Sequence, residues 1–236
     1  VLADYLLTKG AKDGRRLVAC SLVSSQQLRY LAEHHGVEFR ETLTGFKWIG
    51  NAAMDYEREH GGRFVMGYEE ALGYSIGPLV RDKDGVSACV IFAELVAWNR
   101  HRGKTVLDHL DDIYRRVGLF VTEQVSLTKP GSEGIAEIRA AMTRFRAKPP
   151  TEIAGFAIEQ IVDLSKGEGG LPRSDVLVFK LAGGRRIIMR PSGTEPKLKS
   201  YYEVRVQIAA NEAVADARTR GLAELAKLRD VHQQMI

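Results

Sequence analysis

The chain has 236 residues, 44% of them hydrophobic and 27% charged, which fits one large folded domain or two of ordinary size and excludes a disordered polypeptide. Its 34 Lys and Arg against 30 Asp and Glu leave a formal charge of +4, too slight an excess for a dedicated nucleic-acid binder but suited to an anionic small substrate. The longest apolar run, 88–97, is interrupted by Glu94 and too short to cross a bilayer, and no secretory signal pattern opens the chain.

Residues 1–9 place Leu2, Tyr5 and Leu6 on one helical face. The continuous apolar run 17–23 predicts a strand buried on both sides. Ser24 or Ser25 then caps a helix that stops near Gly36. Residues 37–43 alternate as a strand does, 51–60 read as helix, 63–66 as a short strand and 86–100 as a long helix. Thr105 opens another helix, with Leu107, Leu110, Ile113, Tyr114 and Val117 on its buried face and Gly118 at its end. Helices alternating with short apolar strands predict an α/β domain over 1–118, with a mixed, mostly parallel sheet sandwiched by helices.

Beyond that point the pattern changes. A strand over 119–127, a turn at 129–131 and a helix over 134–147 that stops at Pro149-Pro150 precede four strands at 154–163, 175–181, 185–189 and 200–209. A last amphipathic helix over 211–230 carries Val214, Ala217, Leu222, Leu225 and Leu228. This predicts an α+β domain over 119–236, an antiparallel sheet with helices on one face. Cys20 and Cys89 both sit in apolar runs and read as reduced core thiols of a cytoplasmic protein.

Common signatures are absent. There is no P-loop, the glycines at 167–170 meet Pro172 where a dinucleotide fingerprint needs glycine, and no His-Glu-x-x-His occurs. The six histidines are scattered, with most expected at helix surfaces or ends, so no metal site is expected. Asp82-Lys83-Asp84-Gly85 imitates part of a calcium loop, but Val80 and Ile91 occupy the frame's first and last carboxylate positions.

Two segments carry chemistry. In Arg190-Pro191-Ser192-Gly193-Thr194-Glu195-Pro196-Lys197-Leu198-Lys199, two prolines stiffen the connection and Gly193 lets backbone N–H groups converge. Ser192 and Thr194 add hydroxyls, and Arg190 can clamp two oxygens of one phosphate. That is the composition of an oxyanion cradle; the alternative is a proline-anchored turn with solvated charges. The second segment is Gly67-Tyr68-Glu69-Glu70-Ala71-Leu72-Gly73-Tyr74, whose carboxylates would project beyond a strand's carboxyl end, where open α/β sheets bind ligands. A carboxylate accepts from neighbouring sugar hydroxyls; the alternative is a helix N-terminus that favours acids. Arg81 and Lys83 bring cations to the same end, and Gly45-Phe46-Lys47-Trp48-Ile49-Gly50 is a glycine-bounded loop that pairs Lys47 with aromatics.

Taken in order, the runs 44–51, 67–73, 81–85 and 190–196 resemble those of the α-D-phosphohexomutases, closest to the phosphoglucomutase/phosphomannomutase branch that also includes phosphopentomutases. Members have four domains: a phosphoserine domain, a domain with an Asp-rich Mg²⁺ loop, a sugar-recognition domain and a phosphate-binding domain. Neither the Ser-His-Asn loop nor the Asp-rich loop occurs here, so the chain resembles domains three and four, and its opening at Val1 reads as the start of a piece of something longer.

The resemblance implies an isomerase that interconverts hexose 1-phosphate and hexose 6-phosphate of glucose or mannose through a hexose 1,6-bisphosphate, with Mg²⁺ held outside this chain. It implies Glu69, Glu70, Lys47 and Arg81 at the sugar, Lys83 as general acid/base, and Arg190, Ser192, Gly193, Thr194 and Lys199 at the phosphate. Partners would be the phosphorylated sugar and the N-terminal domains of the same enzyme, with no nucleic acid or membrane, and the 236 residues alone would be inactive. A phosphopentomutase fragment and a non-enzymatic phosphosugar-binding module are the alternatives. Many relatives carry Ser where this chain has Ala71, so one hydroxyl contact to the sugar is missing.

Overall fold

The structure is a computed structural model that describes the whole chain except Pro130, Thr194 and the side chain of Ser132. The chain divides into two compact units, Val1–Leu119 and Phe120–Ile236.

Unit 1 runs α1 (Leu2–Lys9), β1 (Arg16–Ser21), α2 (Gln27–His35), β2 (Glu38–Thr42), α3 (Phe46–His60), β3 (Arg63–Glu69), β4 (Gly73–Ile76), α4 (Gly85–His101) and α5 (Val106–Val117). Its sheet has the order β2-β1-β3-β4, with β1 parallel to both neighbours and β4 antiparallel to β3. The sheet is therefore mixed and mostly parallel. All six residues of β1 are buried, and the period of two divides them between two cores. Val18 and Cys20 join Leu7, Leu28, Leu95 and Ile113 on one face. Leu17 and Ala19 join Phe46, Ile49, Ala53 and Tyr56 of α3 on the other.

Thr105 caps α5 as expected: its side chain accepts from Asp108 N, and Asp108 reciprocates to the Thr105 backbone. Ser25, two residues ahead of α2, accepts from Gln27 N at 3.1 Å.

Three expectations need correction here. Leu107 is 72% exposed, because the buried stripe of α5 runs through His109, Ile113, Tyr114 and Val117. His109 is thus a core residue, and so is His232 in unit 2. Cys20 is buried, but Cys89 is exposed, because it lies with Val86, Val90, Phe92 and Val96 on a side of α4 that the unit leaves uncovered. The run 45–50 is not a loop: the first turn of α3 begins at Phe46.

A buried polar knot ties four helices together. Asp4 of α1 accepts from His35 Nε2 of α2, His109 Nε2 of α5 and Arg116 of α5, each at 2.7 Å. Asn99 of α4 donates to His109 Nδ1 at 3.2 Å, which sets the ring as its Nε2–H tautomer. Burial by itself would raise the Asp4 pKa, but the bonds from His109, His35 and Arg116 outweigh it and hold the carboxyl well below the usual carboxylate range.

Unit 2 contains β5 (Leu119–Thr128), α6 (Gly131–Ala147), β6 (Glu152–Ile153), β7 (Phe156–Asp163), β8 (Leu177–Leu181), β9 (Arg185–Pro191), β10 (Lys197–Val206) and α7 (Val214–Met235). The sheet order is β5-β10-β9-β8-β7-β6, and the pairs from β6 to β10 are antiparallel. Phe145 of α6 meets Phe179 of β8 at 5.8 Å, and Tyr202 of β10 bonds His232 of α7 at 2.7 Å, so both helices pack on the sheet. Burial lowers the His232 pKa to about 4. The strand expected over 154–163 is β7, and Ala154, at φ 56°, turns the chain between it and the two-residue β6 that precedes it. β10 starts and ends earlier than expected, and Leu222 of α7 is 50% exposed.

Candidate functional site

The residues expected to act fall into two clusters, one in each unit. In unit 1, strand β3 continues through Glu69, and β4 returns beside it with Glu69 paired to Gly73. The acidic segment is therefore a hairpin end and not a helix N-terminus. Its tip holds Leu72 at φ 61° with its side chain 87% exposed, a conformation that costs a non-glycine residue about 1–2 kcal/mol.

Glu69 lies at the carboxyl end of a parallel strand, the end at which open α/β sheets take ligands. Its Oε1 accepts from Gly45 N at 2.6 Å, so the carboxylate caps α3. Glu70 Oε1 accepts from Ser25 N at 2.6 Å, and Glu70 N donates to Ser24 Oγ at 3.2 Å, which anchors the turn ahead of α2. A cavity of about 320 Å³ adjoins this strand end, lined by Glu69, Glu70, Tyr68, Tyr74 and Gln27.

Lys83 does not line that cavity but lies against the first turn of α3. Its ammonium bonds Asp82 Oδ1 at 2.7 Å and lies 5.0 Å from the centre of the Phe46 ring. Lys47, one residue on, is exposed with its ammonium 5.2 Å from the Trp48 ring. Arg81 is committed to Glu57 of α3, with one N–O distance of 2.6 Å. Glu69, Lys47 and Lys83 thus gather around the first turn of α3.

Phe46 is the hub of this cluster and was not singled out from the sequence, although its place in a glycine-bounded aromatic run was a signal. Gly73 makes its position possible: a Cβ there would fall inside the edge of the Phe46 ring and 3.1 Å from Lys83 Cγ. Gly73→Ala should therefore cost about 1–3 kcal/mol of stability and abolish the ring-current shift of the Lys83 side-chain protons. An unchanged urea midpoint with unchanged Lys83 shifts would refute this packing.

In unit 2, β9 and β10 bracket the second cluster. Their register sets Arg190 opposite Lys199 and Pro191 opposite Leu198. Ser192 N donates to Lys197 O at 2.8 Å and closes the loop, so this amide is spent on the hairpin and not offered to a ligand. That corrects the expectation of successive free N–H groups: among the described residues, Gly193 is the one whose amide remains open in the 192–193 turn. Lys129 N donates to Pro196 O at 3.0 Å and pins the far side of the loop. Lys197 bonds Glu195 at 2.8 Å and lowers its carboxyl pKa. Thr194 lies outside the described residues.

Two units in this order, a mixed α/β sheet followed by an antiparallel sheet with two helices, define the class of protein. The same arrangement occurs in parafusin, a phosphoglucomutase of Paramecium, in its open form, with a TM-score of 0.67 over 98% of this chain and 41% of that one at 21% identity. It occurs also in a phosphoglucomutase/phosphomannomutase family protein of Burkholderia thailandensis, with a TM-score of 0.59 over 99% and 39% at 14% identity.

Residues 1–117 match the family model described as phosphoglucomutase/phosphomannomutase, alpha/beta/alpha domain III, and residues 131–230 match that of the C-terminal domain. The chain belongs to the phosphoglucomutase/phosphomannomutase family. It is 41% identical over 202 residues to a Haemophilus influenzae protein named "Probable phosphomannomutase", covering 85% of this chain and 39% of that one. It is 34% identical over 215 residues to a phosphoglucomutase of Staphylococcus epidermidis, covering 86% and 39%. The chain thus spans about 39% of the length of these relatives. Among the described residues no helix is long and apolar enough to cross a membrane.

Proposed function

We propose that this chain is the sugar- and phosphate-holding part of a phosphosugar mutase that interconverts hexose 1-phosphate and hexose 6-phosphate, of glucose or mannose, through a bisphosphorylated sugar. The observation that carries the reading is the loop of residues 191–197, closed by Ser192 N on Lys197 O and flanked by the Arg190–Lys199 cross-strand pair. Two cations side by side on one strand pair, next to a loop with an open glycine amide, match the charge and donor needs of a phosphate ester.

In this reading Arg190 and Lys199 supply charge, Ser192 a hydroxyl and Gly193 an amide; the resemblance adds Thr194. Glu69 keeps Oε2 for the sugar hydroxyls, since Oε1 is taken by Gly45. Lys47 and Glu70 join it at the sugar, as does Arg81 from its pairing with Glu57. Lys83, oriented by Asp82 and Phe46, stands where it can pass a proton to or from a sugar oxygen. Phosphoryl transfer leaves little covalent work to the protein, so holding the ester in line is the main task of such residues.

Mg²⁺ does not fit this chain: among the described residues no three His, Cys, Asp or Glu side chains converge. The phosphoryl donor and the metal belong, in this proposal, to the remaining part of the enzyme. We place the enzyme in the cytoplasm, in keeping with two cysteines that form no disulfide.

Calorimetric titration of the chain with glucose 1,6-bisphosphate tests the reading, which requires saturable binding. A coupled assay of the purified chain should show no conversion of glucose 1-phosphate to glucose 6-phosphate. Turnover would disprove the division of labour, and absent binding would remove the site. Binding in a polypeptide whose full length also lacks turnover would favour a phosphosugar-binding module.

A further inference from the structure

A helix on the surface of a folded unit turns apolar side chains inward and charged ones outward. α3 and α7 do so: Arg58 and Glu59 stand exposed on α3, and Asp216, Arg218, Arg220 and Lys227 on α7. α4 does not. It buries Ala88, Leu95 and Asn99, but its outer side carries Val86, Cys89, Val90, Ala93, Val96 and Ala97, all exposed. Spacings of three and four residues join them into one stripe about 17 Å long, and Val86 and Val90 are 79% and 62% exposed. Glu94, the one carboxylate of the helix, leaves the stripe unbroken, because it accepts from the Tyr5 hydroxyl of α1.

Such a row is a poor surface for water and a good one for protein. Family membership and the path of the chain indicate what covers it. Unit 1 matches the family's third domain, and the chain covers 39% of the Haemophilus and Staphylococcus relatives, so in family members other domains precede this unit. α1, the first element of unit 1, lies against α4, with the Tyr5 and Trp98 ring centres 5.3 Å apart. Val1 and Phe92 line one cavity. A polypeptide that continues ahead of α1 therefore arrives beside α4.

We propose that the outer face of α4 is the docking surface for the preceding domains of the same enzyme, which bury Val86, Val90 and their neighbours under an apolar surface of their own. α4 begins two residues after Lys83, so docking there also steadies the segment that carries this lysine. The proposal rests on family membership and not on the sugar that the enzyme takes.

Maleimide labelling of Cys89, read by peptide mass spectrometry, tests it in the 236-residue chain and in the full-length polypeptide. Cys20 is buried and serves as the control for unfolding. The expected result is fast labelling of Cys89 in the 236-residue chain and labelling about tenfold slower or more in the full-length protein, where reaction needs the domains to part. Val90→Glu, beside Cys89 on the stripe, should restore fast labelling in the full-length protein and leave the urea midpoint of the 236-residue chain unchanged, since Val90 is exposed there. Should Val90→Glu expose Cys20 as well, Val90→Ala decides in its place, with a smaller gain in Cys89 labelling. Fast labelling of Cys89 in both parent proteins would overturn the proposal, and so would protection in the full-length protein that both variants leave intact. Protection in the dilute 236-residue chain would mean that the chain covers the face itself, and protection there that vanishes on dilution would mean a second copy; each overturns it too. Failure of the mutase reading would show separately, as absent glucose 1,6-bisphosphate binding with Cys89 still protected in the full-length protein.

Discussion

Arg190→Ala should weaken binding of glucose 1,6-bisphosphate or glucose 6-phosphate by about 1.5–3 kcal/mol, the usual worth of a hydrogen bond to a charged group. The register places Lys199 directly across from Arg190, so one cation remains and binding should weaken without vanishing. Arg190→Lys should recover only part of the loss, because a point charge cannot repeat the two parallel bonds of a guanidinium. Affinity should also fall as salt rises, since the ligand is anionic and the loop partly open. Calorimetry giving the same dissociation constant for Arg190→Ala and the parent would remove this loop from the site. Far-UV circular dichroism serves as the control, since the β9–β10 ladder is backbone-bonded and does not depend on the Arg190 side chain.

The second large effect lies away from the ligand. Asp4→Ala should cost unit 1 about 3–5 kcal/mol, because it strands donors from His35, His109 and Arg116 around a buried gap. Both tryptophans of the chain, Trp48 and Trp98, lie in unit 1, and Trp98 stacks edge-on to His109 at 5.5 Å. Tryptophan fluorescence during urea unfolding therefore reads this unit.

The pH dependence has a definite sign. The Asp4 carboxyl is held below its ordinary range in the folded chain, so the unfolded chain binds the proton first as pH falls. Its contribution is complete above the unfolded carboxylate pKa of about 4 and is lost as pH drops through the lower folded value. The Asp4→Ala chain should lack this acid limb. A fluorescence midpoint within about 0.5 kcal/mol of the parent would mark the knot as a surface feature.

Much of this architecture is visible in local patterns. The run of β1 predicts a strand with both faces covered because continuous apolar residues leave no polar side for water. Thr105 marks the start of α5 because its cap partner, Asp108, is only three residues away. The β9–β10 segment stands out because prolines, glycine and cations crowd into one connection.

Other features depend on residues far apart in the chain. α3 begins at Phe46 because Glu69, 24 positions later, caps Gly45 N. The hairpin to β4 is hidden because its tight turn passes through Leu72, a residue that gives no turn signal. The burial of His109 shows only once Asp4, 105 positions earlier, is brought against it. Cys89 reads as core because an apolar helix looks the same whether or not something covers its outer side.

Sequence by itself determined the order and the class of the two sheets, since period, capping and turn chemistry act over a few residues. Only the tertiary structure decided that Glu69 Oε1 takes the Gly45 amide, that Arg81 is tied to Glu57, and that the Ser192 amide closes its own loop. Those outcomes are competitions among distant donors and acceptors, and they are settled when packing brings the competitors within about 3 Å of each other.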